Sequence, residues 1–257
     1  MSPRRSAAIA RNELRILRRD PMPLMVLLIM PVLMAALYRT TFRAALVVGG
    51  HPHASGSDFA VPAMIVQFGF FLVPFTGFLF FREYMWKTWP RLRASGARPA
   101  EIVLGKALPM VMIGLAQIAV VIAAGVAILD LHATRSFVPL IVVAGLYVVT
   151  ATVLGIAVTA VVRTSQQLNA IGFLGATILG AIGGALVPLS TLPAWTHHLA
   201  PATPQYWAMR ASRDLLLDHR SWTVIVLPLA VLAVFGAGAA LVAIRRIRFE
   251  DRQVGWF

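Results

Sequence analysis

Six stretches of the chain, residues 22–38, 59–81, 107–129, 137–162, 168–187 and 223–244, contain no Asp, Glu, Lys or Arg. An α-helix needs about 20 apolar residues to cross the hydrocarbon core of a bilayer, so each run is a candidate membrane span. With 59% hydrophobic and only 13% charged residues, the composition excludes a soluble enzyme. Six crossings in 257 residues leave room for loops and ends but no second globular domain. The fold class expected is therefore all-α and integral to the membrane, a single domain over residues 1–257. The first run follows an arginine-rich segment and leads into Tyr38-Arg39, not into a small-residue cleavage site, which predicts an uncleaved span.

The charges fix an orientation. Of 23 Lys and Arg residues, 17 lie in segments 1–21, 82–106, 163–167 and 245–257, and six lie in 39–58, 130–136 and 188–222. Cationic loops stay on the cytoplasmic side, so both termini and the 82–106 loop are expected in the cytoplasm. The net charge of +13 is thereby accounted for without a nucleic-acid partner. In residues 4–20, Ile9, Ala10, Leu14, Ile16 and Leu17 share one helical arc and Arg4, Arg11, Arg15, Arg18 and Arg19 the other. That pattern predicts a helix lying along the cytoplasmic membrane surface, with lipid as its partner, ended by Asp20-Pro21 and Pro23. Glu13 interrupts the apolar arc, either as a snorkelling side chain or as a contact to the neighbouring cytoplasmic loop.

Much chemistry is missing. No acidic, basic or histidine side chain lies within the six runs, where a gradient-driven transporter keeps its ion-binding groups. No DxxD or ExxE pattern serves a membrane-embedded transferase, and no cysteine is present. The phosphate-cradling GxxxxGK[ST] pattern fails at Gly105-Lys106, with Ala100 and Ala107 at the two deciding positions. The histidines His51, His53, His197 and His198 lack carboxylate or cysteine partners at ligand spacing, so no metal site, catalytic residue or cofactor is expected in this chain. Energy for uphill transport must enter from another subunit, and residues 82–106 form the largest cytoplasmic surface to receive it. Pro90 suits the start of a short helix there, Gly96 its end, and Pro99 with Glu101 the start of the next.

Arg82-Glu83 closing the second run, Arg91-Leu92-Arg93-Ala94-Ser95 after it, and Glu101-Ile102-Val103-Leu104-Gly105-Lys106 opening the third occur in an order and spacing similar to those of ABC-2 type ABC transporter permeases. Asp58-Phe59-Ala60-Val61-Pro62 and the segment from Val187-Pro188 to Pro204-Gln205-Tyr206 extend the resemblance over essentially the whole chain. It departs where members commonly show Gly-Thr and this chain has Lys87-Thr88 before Trp89-Pro90. The resemblance implies a coupling helix between spans 2 and 3, with Arg82, Glu83, Arg91, Leu92, Arg93, Ala94, Ser95 and Glu101 as ATPase-coupling residues. It also implies re-entrant extracellular helices between spans 5 and 6, where Ala194–Leu199 and Tyr206–Leu217 are apolar but too short to cross. Implied partners are separate ATPase subunits, which bind ATP and Mg, and a second permease subunit, identical or not. The implied place is the bacterial cytoplasmic membrane.

Two features leave alternatives open. Gln67 with Phe68, Phe71, Phe75 and Phe78 recurs at helical spacing in the second run, as the lining of a pathway for an amphiphilic cargo or as packing. Gly180 and Gly184 allow close helix approach, within one subunit or between two. The function expected is export of a hydrophobic or amphiphilic substrate such as a drug, antibiotic or lipid-like molecule. The alternatives are a polysaccharide, lipid or haem-type cargo, and a gradient-driven secondary transporter.

Overall fold

A computed structural model describes residues 2–132 and 137–246. Among these residues every regular element is helical. In chain order they are α1 (Pro3–Arg19), α2 (Met22–Val48), α3 (Gly56–Gly69), α4 (Leu72–Met85), α5 (Trp89–Ala94), α6 (Pro99–Ile128), α7 (Phe137–Val161), α8 (Ser165–Ile182), α9 (Ala194–Leu199), α10 (Pro204–Leu216) and α11 (Val226–Arg246).

Five helical segments are long and apolar enough to cross a membrane: Met22–Val48, Gly56–Met85, Pro99–Ile128, Phe137–Val161 and Trp222–Arg246. The first continues ten residues past the apolar run that ends at Tyr38, carrying Arg39 and Arg43 with it. Charge ends an apolar run, but it does not end a helix; Gly49-Gly50, with Gly50 at φ +91°, does. The added turns are held by packing, because Phe42 and Leu46 are buried and Phe42 meets the Phe59 ring of α3 at 4.7 Å. The fifth run, 168–187, forms α8, whose 18 residues open with Ser165-Gln166-Gln167 and include Asn169, so α8 is not among those five segments.

The second run makes two helices in tandem. α3 ends at Gly69 and α4 begins at Leu72. Pro74 has no N–H to give to the carbonyl of Phe70, which favours a break at that point. The Tyr147 hydroxyl of α7 donates to Val66 O at 2.9 Å just ahead of the break. Every residue of α3 is buried, so α3 is the central rod around which α2, α6, α7, α8 and α10 pack.

Two separate ends result. At one end α1 lies along the first turns of α6, next to α5 and the last turn of α4. At the other, His51 Nε2 is 3.1 Å from Asp218 Oδ1, joining the segments after α2 and α10, and His132 N donates to Asp58 Oδ1 at 2.8 Å, joining the segment after α6 to the first turn of α3. The loop residues 133–136 and the expected tail beyond Arg246 lie outside the described residues. Gly180 and Gly184 both serve packing within this chain. A side chain at Gly180 would collide with the Gln67 amide of α3, and Gly184 turns the chain at φ +83° after α8.

Candidate functional site

Glu13, Arg82, Glu83 and Lys106 come from three helices and meet beneath α5. Glu13 sits on the buried side of α1, Arg82 and Glu83 in the last turn of α4, and Lys106 two turns into α6. Lys106 is 0% exposed and uses all three ammonium protons: Nζ is 2.5 Å from Glu13 Oε1, 2.7 Å from Glu83 Oε1 and 3.0 Å from the Leu79 carbonyl. The other Glu13 oxygen accepts from the Arg82 guanidinium. Thr88 donates its hydroxyl to Glu83, which fixes the first residues after α4 to the cluster. Arg82 stacks over the Trp86 ring at 5.0 Å.

Two cations and two carboxylates cancel in charge. That balance, with a hydrogen bond on each head group, is what makes it tolerable to bury Glu13, Arg82 and Lys106 and to half-bury Glu83. A displacement of α4 relative to α1 or α6 would break at least one short ionic hydrogen bond in a poorly screened environment. The cluster is therefore a rigid joint, and it lies beside the segment that leads from Trp86 into α5.

A second joint fixes the start of α1 to the start of α6. Glu101, 1% exposed, accepts from Ser2 N at 2.5 Å and from Arg98 N at 3.0 Å, and its Oε2 lies 3.9 Å from Arg5 Nη1. Arg5 Nη1 also donates to Gly96 O at 2.6 Å, at the turn after α5. Between the two joints the helices touch. A Cβ built on Gly105 would lie 2.6 Å from Ile9 Cβ and 3.0 Å from Ser6 O, so only glycine admits α1 at this distance. α1 is thus clamped to α6 along its length rather than simply laid beside it.

Of the residues expected to couple to an ATPase, Arg82 and Glu83 are inside the cluster, while Arg91, Leu92 and Ser95 line a groove of about 400 Å³ between α5 and α1 that reaches the cluster. Ala94 ends α5, and Glu101 belongs to the second joint; the side chain of Arg93 is outside the described residues. The aromatic residues of the second run are not gathered in the same way. Gln67 is buried and donates to Ala176 O of α8 at 3.2 Å. Phe68 meets Phe71 edge to face at 5.5 Å, and Phe71 meets Phe173 of α8 at 5.3 Å. Phe75 is half-buried and Phe78 is 39% exposed. The break at residues 70–71 removes the single helical face that their spacing suggests.

Glu13 and Lys106 are the pair that sequence reasoning did not join. The signals were a lone carboxylate on an apolar arc and a lysine opening an apolar run. Of the two readings of Glu13, the structure supports contact with the 82–106 segment. Among the described residues no group of three or more His, Cys, Asp or Glu side chains is placed to hold a metal ion.

Among the described residues, regular elements that are all helical, five of them able to cross a bilayer, define a multi-pass membrane protein. The family model for the ABC-2 type transporter matches residues 5–217, and the chain belongs to that family. No curated protein matches it. Membership makes the chain a transport permease domain, of a kind that works with an ATPase subunit.

Proposed function

We propose that this chain is the membrane subunit of an ATP-driven exporter, with six spans formed when α8 joins the five longer segments, and with a second permease subunit completing the path. The observation that carries the reading is the four-ion joint. Closure of partner ATPases pushes on α5, and the joint passes that push into α1, α4 and α6 together, rotating them as a unit and switching the exposure of the cargo site. ATP and Mg stay on the ATPase; no residue of this chain performs covalent chemistry. A hydrophobic or amphiphilic cargo fits the aromatic second run and the exposed rings of Phe78 and Phe173.

Glu83→Gln tests the joint as a transmitter. The amide keeps the size of the carboxylate and can still accept a hydrogen bond, but it removes one charge facing Lys106. In proteoliposomes containing the permease with its ATPase, the permease-dependent part of ATP hydrolysis is expected to fall about tenfold, in line with the roughly 1.5–3 kcal/mol of a charged hydrogen bond. The assembly should still co-purify. Undiminished stimulation would remove Glu83 from the coupling path.

The orientation is tested separately. Single cysteines replacing Arg93 and His197 in this cysteine-free chain are expected to react with a membrane-impermeant maleimide from opposite faces, Arg93→Cys only in inverted vesicles and His197→Cys only in intact cells. Labelling of both from one face would overturn the six-span arrangement.

A further inference from the structure

We propose that the groove between α1 and α5 is a binding site for a phosphate group, of the kind an anionic lipid headgroup carries. The groove has unused donors. The Arg91 side chain is exposed and has no hydrogen bond or ion pair among the described residues, the Asn12 amide is likewise unengaged, and Arg5 gives Nη1 to Gly96 O, near Glu101, and keeps further N–H groups free.

The groove also has a positive balance despite its two carboxylates. Glu13 and Glu83 line it, but both are taken up by Lys106, Arg82 and Thr88. Counting Arg5, Arg91, Lys106 and Arg82 against Glu13, Glu83 and the Glu101 that lies 3.9 Å from Arg5 leaves one cationic charge, that of Arg91, for an incoming anion. A bidentate guanidinium beside an amide donor is the chemistry that holds phosphate oxygens.

Depth and floor point to a lipid as the source. Lys106 lies seven residues beyond Pro99, about 10 Å along α6, and the groove covers that interval. A headgroup layer is about 5–8 Å thick on each side of the hydrocarbon core. Ile9 and Leu92 give the groove apolar walls, against which the first carbons below a headgroup would pack. The inference does not require the coupling reading: it uses only the groove and the membrane placement of the family, and its test contains no ATPase.

The test uses the full-length chain in detergent, with native mass spectrometry of added dioleoyl phosphatidylglycerol and, as the phosphate-free counterpart, dioleoylglycerol. The expected result is one phosphatidylglycerol per chain bound at least tenfold more tightly than the diacylglycerol. Arg91→Gln and Asn12→Leu change exposed side chains, so the fold survives them, and each is expected to weaken phosphatidylglycerol about tenfold. Arg19→Gln, on the same helix but outside the groove, leaves binding unchanged.

Competition with inorganic phosphate, followed by ³¹P NMR, separates the sources. Displacement of the lipid by phosphate shows a site that takes the free anion as well, and no displacement shows a site that needs the lipid. Equal retention of the two lipids would overturn the proposal. So would an Arg19→Gln effect as large as that of Arg91→Gln.

Discussion

Lys106→Met lowers the stability of the folded chain by about 3–5 kcal/mol, the usual consequence of removing one partner from a buried ion pair. Methionine matches the lysine stem in length, so the loss is electrostatic and not a packing defect. Without the ammonium group, Glu83 keeps the Thr88 hydroxyl and the nearby charge of Arg82 but no cation hydrogen-bonded to it, and Glu13 keeps Arg82 alone. Two carboxylates then share a site built for neutrality. Unfolding of the purified protein in mixed micelles with increasing SDS measures the change. Adding Glu83→Gln to Lys106→Met is expected to restore part of the loss, because it removes the charge left stranded; the single exchange Glu83→Gln, with Lys106 present, costs less than Lys106→Met. A Lys106→Met chain within about 1 kcal/mol of the unmodified one would mean that the joint carries no buried charge.

Gly105→Leu separates α1 from α6. The space for even a Cβ is already occupied by Ile9, and Ser6 O is backbone that cannot rotate away. Overpacking of this kind costs about 1–3 kcal/mol, and the cheapest relief is outward movement of α1. That movement draws Glu13 away from Arg82 and Lys106 and Ser2 away from Glu101. The expected result is trypsin cleavage at Arg11 and Arg15 accelerated at least tenfold, with loss of most permease-dependent ATP hydrolysis. If Gly105→Leu is cleaved no faster than the unmodified chain, α1 is not clamped at this point.

The fold was legible wherever an apolar run coincided with a helix that could span. Residues 223–244 lie within Trp222–Arg246, and all of 107–129 but Leu129 lies within Pro99–Ile128. It was less legible where charge and helix part company. Arg39 and Arg43 end an apolar count, yet nothing in their backbone chemistry stops a helix before Gly49-Gly50. Residues 59–81 are uniformly apolar, and periodicity there gives no warning that the rod breaks at Phe70-Phe71. The site was half legible. Arg82, Glu83, Arg91 and Glu101 stood in a recognisable order, because they are close in sequence. The ammonium-carboxylate contact between Glu13 and Lys106 spans 93 positions, and no local pattern carries information over that separation. Gly105 was visible as a residue but not as a contact, since the meaning of a missing side chain depends on what approaches it.

The complete enclosure of α3 has a consequence for biosynthesis. Of the helices that surround this rod, only α2 precedes it; α6, α7, α8 and α10 are made later. The Gln67 amide waits for Ala176, 109 residues downstream, and Asp58 waits for the His132 amide. At about 5–20 residues per second, the first of these delays lasts roughly 5–20 s. During that interval a nascent chain holds the Gln67 amide against lipid or the insertion machinery without its Ala176 partner, while Asp58 has only the local Ser55 amide. Chaperones and proteases that survey unassembled membrane helices have their opportunity then, before α8 arrives and covers Gln67.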